Sequence, residues 1–118
     1  NIDIMSVYKK FIKSNLNSIM SITTMKSPFG HVLIKDNIIK EFKEKPDLPF
    51  PTNIGYYFFK SDSIKNYNKK NSELETSFLN SQIKKKNLGF YFHKGYFHTV
   101  NHKQDLINIK YNEKKTIK

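Results

Sequence analysis

At 118 residues the chain fits one domain, long enough to bury a core without covalent help. It has no cysteine, which excludes a disulfide framework or a thiolate zinc site and suits a reducing cytoplasm. No apolar run approaches the roughly 20 residues that cross a bilayer, and the first residues form no basic-then-apolar leader, so no membrane partner is expected. The net charge of +11 rests on 21 basic residues, all lysine; without arginine, the residue suited to bidentate base and phosphate contacts, it reads as solvated background and not as a nucleic-acid face.

Asp3 can cap a helix whose apolar positions Ile4, Val7, Tyr8, Phe11 and Ile12 recur at helical spacing, ending near Asn15. Ile19 to Met25 reads as a strand that stops at the turn Lys26-Ser27-Pro28-Phe29-Gly30. His31 to Lys35 and Ile38 to Lys43 form a hairpin about Asp36-Asn37, which leads into Glu44-Lys45-Pro46. Pro46, Pro49 and Pro51 make the next stretch an extended loop. Asn53 to Lys60 is a strand dense in aromatics around Gly55, and Ser61 or Asp62 can cap a short helix to about Tyr67.

Asn68 to Asn71 reads as a polar linker, and Ser72 opens a helix with Leu74, Phe78, Leu79 and Ile83 as its inward face. Leu88 to His93 and Tyr96 to Val100 read as strands, Lys103 to about Asn112 as a last helix carrying Leu106, Ile107 and Ile109, and Glu113 to Lys118 as a fraying tail. This order is mixed α/β, with no internal repeat.

The four glycines, Gly30, Gly55, Gly89 and Gly95, stand singly, so no glycine-rich phosphate loop is present. No serine sits in a nucleophile elbow, and His31, His93, His98 and His102 lack the spacing of a metal-binding helix.

Four segments in series do carry a resemblance: Ser27-Pro28-Phe29-Gly30 before the hairpin, Glu44-Lys45-Pro46, Thr52-Asn53-Ile54-Gly55-Tyr56-Tyr57, and Gly95-Tyr96-Phe97 running into Asn101 and Asp105. Together they resemble the second half of the nucleotidyltransferase superfamily that makes nucleotide sugars. The resemblance implies an α/β fold: the C-terminal part of a Rossmann-like, three-layer nucleotidyltransferase architecture, with a mixed sheet, flanking helices and a β-hairpin. It makes residues 1–118 a partial domain, the sugar-phosphate-binding half, and expects the nucleotide-binding half upstream.

The implied reaction joins a sugar 1-phosphate to a nucleoside triphosphate and releases pyrophosphate, with magnesium screening the charges. By resemblance Lys45 contacts the sugar's phosphate, Glu44 and Asn53 hydrogen-bond the sugar, and Gly30 and Gly55 admit the ligand close to the backbone. The family's magnesium aspartate falls, by branch, at Asn101 or Thr99, and a family threonine falls at His102. Asn101 is the candidate metal position, though a neutral amide supplies no charge to a hard cation. The alternative to an enzyme half is a sugar-phosphate-binding or regulatory module without catalysis. A lysine-rich nucleic-acid binder stacking bases on Tyr91, Phe92, Tyr96 and Phe97 ranks last, because those aromatics fall in strands that face a core in part.

Overall fold

The structure, a computed structural model, describes residues 2–65, 67, 73–107 and 109. Helix α1 runs Ile4–Ser14, and its boundaries follow from its caps. Asp3 accepts from the Ser6 N–H at 3.2 Å and from the Ser6 hydroxyl at 2.6 Å, while Asn15 ends the helix in the left-handed region at φ 56°. Val7 and Phe11, four residues apart, point to one side and are buried.

Five strands follow: β1 Ser18–Thr23, β2 His31–Lys35, β3 Ile38–Lys43, β4 Thr52–Phe59 and β5 Leu88–Phe92. One sheet has the order β4-β1-β5, with β1 antiparallel to β4 and parallel to β5. It is therefore mixed, as the family resemblance requires. Alternation along β4 sends Phe58 to one face and Phe59 to the other. Phe58 packs on Tyr8 and Phe11 of α1, over a core of Val7, Phe11 and Ile19. Phe59 meets Phe78 edge-on, with ring centroids 5.1 Å apart. Helical layers thus lie on both faces of the sheet.

The second layer departs from the expected face. Leu74–Phe78 is a π turn, in which the Leu79 N–H reaches the Leu74 carbonyl, before α3 Leu79–Lys84 begins. The wider turn rotates the face, so Phe78, Leu79 and Gln82 are buried while Ile83 is 56% exposed. The proposed start at Ser72 and the linker Asn68 to Asn71 lie outside the described residues, as does the tail from Glu113. A short helix α2, Ser61–Lys65, follows β4. A helical turn is described over 103–107, with Leu106 and Ile107 exposed. Residues 96–100 form no strand. Aromatic and β-branched content suggested one, but the chain there bends around His93.

Among the described residues strands β2 and β3 pair only with each other. Asp36 and Asn37, at φ 53° and 59°, make the type I′ turn that matches strand twist in two-residue hairpins. Lys40 is the extra residue where the register shifts from Leu33↔Glu41 to Ile34↔Ile39. Every residue of the hairpin is exposed, including Leu33, Ile34, Ile39 and Phe42.

Candidate functional site

Where β1 ends, the chain is held by a second stretch 20 residues further on. The Ser27 N–H donates to the Pro46 carbonyl at 2.8 Å and the Leu48 N–H to the Met25 carbonyl at 2.7 Å, around a bridge between Lys26 and Asp47. The Lys26 ammonium also lies 3.1 Å from the Asp47 carboxylate; both groups are well exposed, so this pair orients more than it stabilises. These bonds set Lys45, at φ 44°, against the end of β1. A lysine in the left-handed region costs about 1 kcal/mol. Such local strain marks positions where geometry is used.

The opposite wall comes from the chain after β5. The His93 N–H donates to the Ile22 carbonyl at 2.8 Å, and the buried Thr23 hydroxyl donates to the His93 carbonyl at 2.7 Å. The His93 ring, 6% exposed, donates from Nε2 to the Tyr96 carbonyl at 3.3 Å. That folds Gly95 to Thr99 back over the sheet end. Between the walls lies an open cleft of about 870 Å³, lined by Thr24, Met25, Lys26, Pro28, Lys45 and the run Gly95 to Thr99. Its lining brings the ammonium groups of Lys45 and of Lys26, the latter paired with Asp47. Tyr96 and His98 stack at its rim, with ring centroids 6.2 Å apart. The arrangement suits an anionic, ring-bearing ligand.

Of the sequence-derived candidates, Lys45 lines this cleft. Gly30 and Glu44 come together beside it, at the base of the hairpin. A side chain on Gly30 would meet the Phe42 ring at 2.5 Å and the Glu44 carboxylate at 3.4 Å. The preceding turn is fixed by the buried Ser27, whose hydroxyl accepts from the Phe29 N–H at 3.1 Å and shares a 2.9 Å hydrogen bond with His31 Nε2.

Asn53 and Gly55 lie in a bulge of β4, where the register jumps between Met20↔Tyr57 and Ile22↔Asn53. The Asn53 amide is engaged there: its oxygen accepts from the Gly55 N–H at 2.9 Å and its nitrogen donates to the Tyr57 hydroxyl at 2.5 Å. Gly55, at φ 83°, allows that turn. One donor hydrogen and one lone pair of Asn53 remain free.

Asn101 lies just before the turn at 103–107. Asp105 accepts from the Asn101 and His102 N–H groups at 3.0 and 2.9 Å, and its other oxygen is 4.0 Å from His98. These contacts hold the Asp105 carboxyl below its ordinary pKa, the His102 hydrogen bond contributing most and the Asn101 bond next. Among the described residues no three His, Asp or Glu side chains converge on a metal position.

Sequence reasoning passed over Thr23, Thr24, Met25 and His93. The one available signal was a histidine followed closely by glycine at a strand end, which has no specificity by itself.

A mixed α/β sheet with a lysine-bearing cleft at its strand ends is the arrangement the chain presents. The chain belongs to the nucleotidyl transferase family, whose model matches residues 3–113. Among solved structures it is similar to a protein from Bacillus anthracis described as a glucose-1-phosphate thymidylyltransferase, crystallised with sucrose. That likeness has a TM-score of 0.64 at 20% identity over 95% of this chain. It covers 49% of the other chain, so the present chain spans about half the length of that relative. Among curated proteins, comparison by sequence finds no match.

Proposed function

We propose that this chain is the sugar-phosphate-binding half of a sugar-1-phosphate nucleotidyltransferase, working with a nucleotide-binding half beyond residues 1–118. In the reaction an oxygen of the sugar 1-phosphate attacks the α-phosphorus of a nucleoside triphosphate. The bond to the β-phosphate oxygen breaks, and pyrophosphate leaves. The observation that carries this reading is Lys45, strained at φ 44° on the wall of the cleft at the end of β1. An ammonium there is a point cation for the sugar's phosphate. Glu44 accepts hydrogen bonds from sugar hydroxyls, Asn53 uses its free donor and acceptor, and Gly30 and Gly55 keep the approach open. The exposed apolar hairpin is the surface that faces the partner half.

Magnesium, which the family resemblance implies, does not fit the residues described. Asn101 is neutral, both Asp105 oxygens are directed at backbone N–H groups or at His98, and no third ligand converges. No step of the reaction is therefore assigned to the ion on these residues. The same observation favours, as a second reading, a sugar-phosphate-binding or regulatory module without catalysis. Among the described residues no helix is long and apolar enough to cross a membrane; we assign the protein to the cytoplasm on its lack of cysteine.

The test is titration calorimetry with glucose 1-phosphate on the wild type and Lys45→Ala. Loss of one charge-assisted contact predicts about tenfold weaker binding or more with an unchanged melting temperature. Equal affinity in the variant removes Lys45 from the site. Pyrophosphate release from the intact protein separates the enzyme from the silent module.

A further inference from the structure

Glu44 and Lys45 form a two-residue span between two anchors. On one side Lys43, the last residue of β3, pairs with His31, the first residue of β2. On the other, the Pro46 carbonyl accepts from the Ser27 N–H at 2.8 Å. The anchors are joined across the turn from Pro28 to Gly30, because His31 Nε2 shares a 2.9 Å hydrogen bond with the Ser27 hydroxyl. Lys43, His31, Ser27 and Pro46 thus close a ring around Glu44 and Lys45. The His31 side chain is the one link in it that backbone pairing does not supply.

Ser27 is placed to act as the hub of this ring. It is buried, and its hydroxyl accepts from the Phe29 N–H at 3.1 Å, which leaves it one proton and one lone pair. An imidazole nitrogen accepts the first or donates to the second, so the hydroxyl keeps two partners in either tautomer. Two partners fix its rotamer and, with it, the turn that follows. Gly30 at the end of that turn faces Glu44: a Cβ there would stand 3.4 Å from Oε2. The link therefore reaches Glu44 across Gly30 and Lys45 through Pro46.

We propose that His31 is a positioning residue of the Lys45 site, holding Glu44 and Lys45 through Ser27 in the geometry that meets a sugar phosphate; this rests on the sugar-phosphate reading of the cleft proposed above. Lys45 stands at φ 44°, a conformation that a lysine keeps only while its surroundings impose it. Loosening either anchor lets the backbone relax and draws the ammonium away from the cleft wall. His31 is exposed and does not line the cleft, so it acts through Ser27 and not by touching the ligand.

The probe is glucose 1-phosphate, titrated calorimetrically into the full chain. His31→Phe keeps a ring at the start of the strand but removes the hydrogen bond, and weakens binding about threefold to tenfold, the effect of one hydrogen bond lost. His31→Gln, whose amide offers both a donor and an acceptor, restores most of the affinity. Ser27→Ala lowers affinity as His31→Phe does, and combining the two lowers it no further, as expected of residues that act as one contact. Amide exchange gives a readout without ligand. His31→Phe quickens exchange at Ser27, whose N–H is bonded to Pro46, and leaves His93, bonded to Ile22, unchanged.

Undiminished binding in His31→Phe where Lys45→Ala weakens it, no restoration by His31→Gln, additive losses in the double variant, or unchanged exchange at Ser27 would each overturn the proposal. Binding indifferent to Lys45→Ala, or absent from the wild type, would instead remove the sugar-phosphate reading, and the positioning role of His31 with it.

Discussion

The His93 imidazole fills the space that a side chain on Gly95 would need: its Cε1 lies 2.8 Å and its Nε2 3.0 Å from where a Cβ would stand. The ring cannot swing aside cheaply, because it is buried and bonded to the Tyr96 carbonyl. Gly95→Ala should therefore destabilise the protein by about 1–3 kcal/mol, the usual range for overpacking. It should also weaken the proposed sugar-phosphate binding, since Tyr96 to Thr99 form the cleft wall. Urea unfolding of Gly95→Ala alone and with His93→Ala measures the coupling. If the penalty is undiminished without the ring, the clash is not its source.

Gly30 and Gly55 should answer differently to the same change. At Gly30 the obstacle is the Phe42 ring, 61% exposed on the hairpin and free to swing into solvent, so Gly30→Ala should cost less than about 0.5 kcal/mol. At Gly55 nothing lies within 4 Å of a new Cβ, but φ is +83°, so Gly55→Ala should cost about 1 kcal/mol in backbone strain alone. Thermal unfolding of the two variants tests the order, and a costlier Gly30→Ala would mean that Phe42 is fixed.

Asp105 and Asp3 both hold their carboxyls below the ordinary range, Asp105 chiefly through the His102 N–H and Asp3 chiefly through the Ser6 hydroxyl. A pKa depressed by folding gives stability that is full above the unfolded value and is lost as pH falls through the folded value. The caps of α1 and of the turn at 103–107 should therefore persist through mildly acidic conditions and fail only below the normal aspartate titration. Carboxyl titration by NMR gives both midpoints. A midpoint for Asp105 at or above that of an unstructured aspartate would contradict the two hydrogen bonds.

The parts of the fold legible in the sequence are those set by local chemistry. Asp3 and Asn15 cap α1 as their side chains dictate, and Asp36-Asn37 forces the hairpin register. Illegible were features decided by distant partners. The π turn before α3 exposes Ile83 and buries Gln82, although helical spacing favours the reverse. Tyr96 to Val100 has strand composition, yet β5 is bonded to β1, and His93 turns the chain back before another strand can form. Lys45 was found by its motif; its left-handed backbone and its place opposite Gly95 depend on bonds between Met25–Ser27 and Pro46–Leu48 that no local pattern announces.

Thr23 tests whether the cleft wall is held from below. Its hydroxyl is buried and donates to the His93 carbonyl at 2.7 Å, tying the last residue of β1 to the first residue after β5. Thr23→Val keeps the shape and strand propensity but removes the donor, leaving a buried carbonyl unpaired. That should cost about 1–3 kcal/mol of global stability, and amide exchange at Gly95 to His98 should quicken as the loop loses its anchor. The proposed sugar-phosphate affinity should fall although Thr23 does not line the cleft, and Thr23→Ser, which retains the hydroxyl, should restore most of it. If Thr23→Val and Thr23→Ser behaved alike, the hydroxyl would be incidental and the wall would rest on the His93 ring alone.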